Sequence, residues 1–145
     1  MWLKKITQDL INKYKTSDPF EIASCLNIHL IEWDLHKEIN GYYKYDRRNR
    51  YIVVNRNLSE EWKKVVCAHE LGHAILHSRL NTPFMKQNTL FSVDKVEREA
   101  NRFAAELLIS DDSFEDLNDI YELASIHSVP VELVQLKREK LFLLT

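Results

Sequence analysis

Ser59-Glu60-Glu61-Trp62-Lys63-Lys64-Val65-Val66-Cys67-Ala68-His69-Glu70-Leu71-Gly72-His73-Ala74-Ile75-Leu76-His77-Ser78 reads as one helix, and the fold is organised around it. Ser59 is a good N-cap, Glu60 and Glu61 suit the positive first turn, and no proline interrupts the run. Val65, Val66, Ala68, Leu71, Ile75 and Leu76 give apolar coverage on most sides, which predicts a largely buried helix. Within it stands His69-Glu70-Leu71-Gly72-His73. Residues four apart share a helix face, so both imidazoles reach a single metal ion at about 2.0–2.1 Å. Glu70 lies one residue further round, at the edge of that face, where it holds water instead of filling a ligand position. Zinc lowers the pKa of water bound to it to about 7, and a neighbouring carboxylate can take the proton as general base. The pattern fits a helix-borne zinc site of metallopeptidase type. The competing reading is a pair of core histidines with ordinary partners. Two histidines and a glutamate inside a buried helix all need partners, and a metal with its water satisfies the three together.

His77 complicates the register. It lies four after His73, so that pair can also bridge a metal. A glutamate directly after His69 favours His69 and His73, because the base must sit beside the water. His77 then supports a ligand or lines the cleft. Cys67, two before His69, points to the other side of the helix and reads as a small core residue.

A catalytic zinc usually takes three protein ligands and keeps a fourth position open. The best source of the third is Val93 to Ile109, where Val96, Ala100, Phe103, Ala104 and Leu107 form an apolar stripe at helical spacing. Glu97, Glu99 and Glu106 lie near that stripe. Periodicity alone does not choose among them, although at about 100° per residue Glu97 falls nearer the stripe centre than Glu99.

The remaining elements follow from local signals. Leu3 to Tyr14 is a helix with Leu3, Ile6, Leu10 and Ile11 on one side. Asp18 caps a second helix, with Pro19 at its first position and Glu21 three after the cap. That helix stops near Asn27, which tolerates a left-handed conformation. Ile28 to Trp33 alternates and reads as a strand. Gly41 to Tyr45 and Tyr51 to Asn55 are two more, joined by the polar turn Asp46-Arg47-Arg48-Asn49. An irregular loop, Asn81–Ser92, links the zinc helix to the glutamate helix and is either a mobile lid or only a connection. One or two helices close the chain. Tyr42, Tyr43 and Tyr45 can line a cleft or polarise a carbonyl, but aromatic residues in a hairpin more often serve cross-strand packing.

His69–His73 with Leu76-His77, followed by Glu97-Arg98-Glu99-Ala100-Asn101-Arg102-Phe103-Ala104-Ala105-Glu106-Leu107-Leu108, resembles the ImmA/IrrE family of metallopeptidases. Asp18-Pro19-Phe20-Glu21-Ile22-Ala23, Gly41-Tyr42-Tyr43 and Tyr51-Ile52-Val53-Val54-Asn55 follow the family's order of elements, so the resemblance runs from about Asp18 to Leu108. Leu107-Leu108-Ile109-Ser110 departs from the family's usual Leu-Leu-Met-Pro at the helix end. The resemblance implies that the glutamate of Glu-Ala-Asn, here Glu99, is the third metal ligand, with Glu97 the fallback. It also implies an α+β, zincin-like fold: a small antiparallel or mixed three-stranded sheet packed on a helix cluster, forming one domain over residues 1–145. The implied activity is Zn2+-dependent hydrolysis of a specific protein, a helix-turn-helix repressor of a phage, mobile element or stress regulon. In zincin-like folds a sheet edge borders the metal cleft, and an extended peptide can add to it as a strand. A second expectation, from a different class, is a metal-stabilised protein that inactivates a repressor by docking without cleavage.

Bulk properties agree with a small globular protein. With 145 residues one domain is expected, and 45% apolar residues with two glycines and three prolines argue against disorder. A net charge of −2 draws it to neither nucleic acid nor anionic membrane. Cys25 and Cys67 do not form a disulfide framework, so a reducing, cytoplasmic setting is expected. The start, Met1-Trp2-Leu3-Lys4-Lys5, leads into an amphipathic helix rather than a long apolar run, so neither a signal peptide nor a membrane span is expected. Tyr121 to Lys137 resembles a helix-turn-helix. Val131, Glu132 and Leu133 stand where DNA readout wants basic and amide side chains. From Asp111 to Thr145 eight acidic residues face three basic ones, the wrong sign for phosphate contacts. A helix pair packing on the zinc domain is favoured over a DNA-binding regulator.

Overall fold

A computed structural model describes residues 2–81, 83–85, 90–92, 94–114 and 119–144. The elements in chain order are α1 (Trp2–Tyr14), α2 (Pro19–Cys25), β1 (His29–Trp33), β2 (Ile39–Asp46), β3 (Asn49–Asn55), α3 (Glu60–Leu76), β4 (Pro83–Met85), α4 (Lys95–Leu108), a 3₁₀ turn (Asp111–Phe114), α5 (Ile120–His127) and α6 (Val131–Leu144). Four of the helix starts are capped as local chemistry demands, among them α5, where Asp119 accepts from Glu122 N. Asp18 accepts from Phe20 N, Ser59 from Trp62 N, and Asp94 from both Val96 N and Glu97 N. Asn27 takes the left-handed conformation just past α2, with φ 59°.

The sheet has the order β1-β3-β2-β4 and is mixed. β1 runs parallel to β3, with His29 opposite Tyr51 and Trp33 opposite Asn55; β2 is antiparallel to both β3 and β4. The three strands expected from the sequence are present, and β4 adds a fourth. It lies inside the stretch expected to be an irregular loop, since three residues are too few to display an alternation. Asn81 and residues 83–85 and 90–92 are described; the rest of that loop lies outside the described residues. β1 shows no buried face despite its alternating sequence, with Trp33 63% exposed, because α3 packs on β2 and β3 rather than over this strand. The β2–β3 turn places Arg47 and Arg48 at φ 50° and 68°, the pair of positive dihedrals that suits a two-residue hairpin.

α3 is the centre of the molecule. It packs on β2 and β3, on α2, and on α4. Every residue from Val65 to Ala74 is buried, which is what apolar coverage on most sides requires. Ile22, Ile52, Val54, Val66, Leu71, Phe103 and Leu133 belong to one core around it. α5 and α6 form the expected helix pair. α6 lies against α4 and buries Leu133 and Val134 near its start. Lys137 is buried there against Glu106, Asp111 and the Ile109 carbonyl, which ties α6 to the end of α4. No helix among the described residues is long and apolar enough to cross a membrane.

Both glycines are packing glycines; neither has positive φ. A Cβ on Gly41 would lie 2.6 Å from the Val53 carbonyl oxygen and 2.7 Å from Val66 Cγ1, so the sheet and α3 meet at this point. A Cβ on Gly72 would lie 3.1 Å from the Phe103 ring, a side chain that can shift slightly. Gly41→Ala should therefore destabilise the protein by about 1–3 kcal/mol. Gly72→Ala should cost much less, because its crowding is offset by a helix-propensity gain of roughly 1 kcal/mol. Urea midpoints of the two variants check the order.

Candidate metal centre

α3 presents His69, Glu70 and His73 in its buried stretch, and α4 presents Glu97 and Asn101 opposite them. One ligating atom each from His69, Glu70 and His73 lies within 4.8 Å of the others. All three residues are almost fully inaccessible, at 0%, 0% and 2% exposure. His69 Nε2 is 3.0 Å from Glu97 Oε2, and His73 Nε2 is 3.0 Å from Glu97 Oε1. The Glu97 carboxylate thus straddles the two imidazoles. His69 Nδ1 donates to Asn101 Oδ1 at 2.8 Å. An amide oxygen only accepts, so the hydrogen is on Nδ1 and the Nε2 lone pair faces inward. From the sheet side, the Phe84 ring of β4 stacks on the His69 imidazole, with centroids 3.9 Å apart and planes 17° apart.

His69 Nε2, His73 Nε2, Glu97 Oε2 and both Glu70 oxygens are buried without a hydrogen bond. Buried polar atoms are nearly always paired, and an unpaired one costs about 1–3 kcal/mol. Here electron-rich nitrogens face carboxylate oxygens around one point. Two imidazoles and a carboxylate are also the donor set of a catalytic zinc. These residues fit a divalent cation.

The electrostatics without a cation point the same way. Burial holds the His69 imidazole below its ordinary pKa, partly opposed by Glu97. Burial pushes the Glu70 carboxyl well above the ordinary carboxylate range, and the nearby Glu97 charge adds to this. Burial also pushes Glu97 upward, but His69 and His73 rings that carry a proton on Nε2 outweigh it and bring Glu97 down to about 2. The signs have opposite consequences. Glu97 stabilises the fold above the normal carboxylate range, and that contribution is lost as pH falls toward 2. Glu70 is favourable only while protonated, so its contribution is lost as pH rises through its elevated pKa. Metal-free Glu70→Gln should therefore be more stable than metal-free wild type at neutral pH, by roughly 1–2 kcal/mol, with the gap closing in acid. Paired thermal melts at neutral and acidic pH read the effect.

The other residues singled out by sequence fall elsewhere. Glu99, implied by the resemblance as third ligand, turns its carboxylate to His77 instead. It meets His77 Nε2 at 2.9 Å, while His77 Nδ1 is 3.0 Å from His73 Nδ1. The structure brings the fallback, Glu97, to the two imidazoles. The reason is rotation: Glu97 and Asn101, four apart, share the face of α4 that meets α3. Glu106 is engaged with Lys137 at 3.4 Å. The Tyr43 hydroxyl donates to the Ser78 carbonyl at 2.6 Å, so it anchors the end of α3 to β2. Tyr45 faces the Arg79 guanidinium at 6.0 Å. Cys67 is buried in the core and Cys25 is exposed; both are free thiols. The Asn101 partnership and the Phe84 stack were not anticipated. The spacing of Asn101 from Glu97 was the available sign of the first; nothing in the sequence marked the second.

Comparison with known proteins gives the family. Residues 23–137 match the family described as the IrrE N-terminal-like domain, Peptidase M78. The chain belongs to that family. Membership makes it a metallopeptidase by descent, and the family's matched segment takes in both α3 and α4. The chain is 54% identical over 139 residues to uncharacterized immunity region protein 2 of Bacillus phage phi105, covering 93% of this chain and 88% of that protein. It is 32% identical over 109 residues to metallopeptidase ImmA of Bacillus subtilis (strain 168), covering 75% of this chain and 64% of that protein.

Proposed function

We propose that this chain is a zinc-dependent endopeptidase of the HExxH type, forming one catalytic domain over residues 1–145. His69, His73 and Glu97 hold the metal, and Glu70 is the general base. The observation that carries this reading is the convergence of buried, unbonded Nε2 and carboxylate atoms between α3 and α4. Zinc, when bound, supplies a Lewis acid that polarises a peptide carbonyl and makes water acidic near neutral pH.

The protein's own residues do the rest. Asn101 fixes the His69 tautomer so that Nε2 is available. Glu70 stands beside the ligand nitrogens, its carboxyl oxygen 3.8 Å from His69 Nε2. It takes the proton from the attacking water and gives it to the leaving amine. Phe84 and the surrounding core exclude bulk water, which strengthens every charge interaction inside.

The proposed substrate is a helix-turn-helix repressor of a phage, mobile element or stress regulon, acting in the cytoplasm. The support is a relative named for a phage immunity region and another named metallopeptidase ImmA. Incubation with the DNA-binding repressor encoded beside the gene, followed by mass spectrometry, tests it. A cut made by wild type and not by Glu70→Gln supports the peptidase. A stable complex with an intact repressor in both would favour inactivation by docking.

A further inference from the structure

Glu99 and His77 lie behind the centre and are not used by the chemistry above. His73, on the same helix face as His77 and four residues before it, meets it nitrogen to nitrogen: Nδ1 to Nδ1 at 3.0 Å. The far nitrogen of His77, Nε2, meets Glu99 Oε1 at 2.9 Å. His77 is the C-cap of α3, with φ −136° and ψ 53°, so it has left helical geometry while keeping this contact. The His77 and Glu99 side chains are 11% and 20% exposed, well shielded for a charged group and its partner.

Hydrogen positions along this chain are determined from its end. A carboxylate only accepts, so His77 carries its hydrogen on Nε2. A neutral His77 then has a bare Nδ1, which must accept. His73 therefore carries its hydrogen on Nδ1 and has a bare Nε2, aimed at Glu97. Asn101 does the same for His69 in one step. The two imidazoles are thus held differently, His69 by a neutral amide and His73 by a relay that ends in a negative charge.

We propose that His77 and Glu99 are positioning residues for the metal: they fix the His73 tautomer and ring orientation, and they raise the donor strength of its Nε2. This rests on the metal reading above. Outer partners of metal-bound histidines typically contribute 10–100-fold in metal affinity.

The test measures Zn2+ affinity of the metal-free full chain by competition with a chromophoric chelator, with no peptide substrate present. His77→Ala and Glu99→Ala should each bind one zinc, about 10–100-fold more weakly than wild type. His77→Asn keeps an oxygen that accepts from His73 Nδ1 and should recover part of the loss. Glu99→Gln can still accept from His77 but has no charge, and should fall between wild type and Glu99→Ala. These two near-isosteric variants carry the test if an alanine variant does not fold. Nitrogen NMR of His73 in the metal-free protein should show the Nδ1–H form in wild type and a mixture of tautomers in Glu99→Ala. Affinities within threefold of wild type for all four variants would overturn the relay, as would complete loss of zinc in Glu99→Ala, which would make Glu99 a ligand. His69→Ala separates the two levels: if it retains stoichiometric zinc, the metal reading itself fails.

Discussion

Glu70→Gln should lower peptide hydrolysis by about 10²–10⁴-fold while leaving metal content and fold intact. The substitution exchanges one carboxylate oxygen for an amide nitrogen at nearly the same volume, in a position with no exposure. What it removes is the ability to accept a proton from water and return it to the leaving amine. Glu70 is assigned no ligand position, because the two imidazoles and Glu97 already converge on one another. Zinc binding should therefore survive. Activity on the cleaved protein and zinc stoichiometry, measured on the same preparation, check both halves. A variant that lost its metal along with activity would show Glu70 to be a ligand. The same variant should also be the more stable of the pair when metal-free, since an amide escapes the penalty of burying a charged carboxylate.

The second large effect separates two carboxylates two residues apart in sequence. Glu97→Ala should abolish stoichiometric zinc, whereas Glu99→Ala should keep it with reduced affinity. Glu97 touches both imidazoles at 3.0 Å, and its removal leaves two histidines alone to hold a divalent cation. Catalytic zinc sites ordinarily use three protein ligands. Glu99 meets His77 instead, at 2.9 Å. Elemental analysis of both variants gives the answer, and the reverse order would restore Glu99 as the ligand. Glu97→Ala should also lose whatever stabilisation wild type gains from added zinc, visible as a melting temperature that no longer rises with metal.

Much of this was legible in the residues. The α3 motif placed His69, Glu70 and His73 together because helical geometry leaves no freedom at a spacing of four. Caps at Asp18, Ser59 and Asp94 set the starts of their helices through local hydrogen bonds, which is why those boundaries needed no tertiary information. The carboxylate was harder. Rotation favoured Glu97 and the family resemblance implied Glu99, and only the packing of α4 on α3 shows which side chain faces the imidazoles. β4 was invisible for a related reason. Pro83-Phe84-Met85 is a strand because β2 offers an edge and His69 offers a ring for Phe84, and both are supplied by distant parts of the chain. The His73–His77–Glu99 chain likewise depends on two helices meeting at one height. β1 illustrates the opposite failure: its alternation is genuine, yet α3 packs on β2 and β3 and leaves the side chains of β1 exposed.

The most direct test is anomalous diffraction at the zinc edge from crystals of the zinc-loaded protein. The account predicts one strong peak bounded by His69 Nε2, His73 Nε2 and the Glu97 carboxylate, with Glu70 beside it and Glu99 on His77. A peak held by His77 and Glu99, or no peak between α3 and α4, would contradict it.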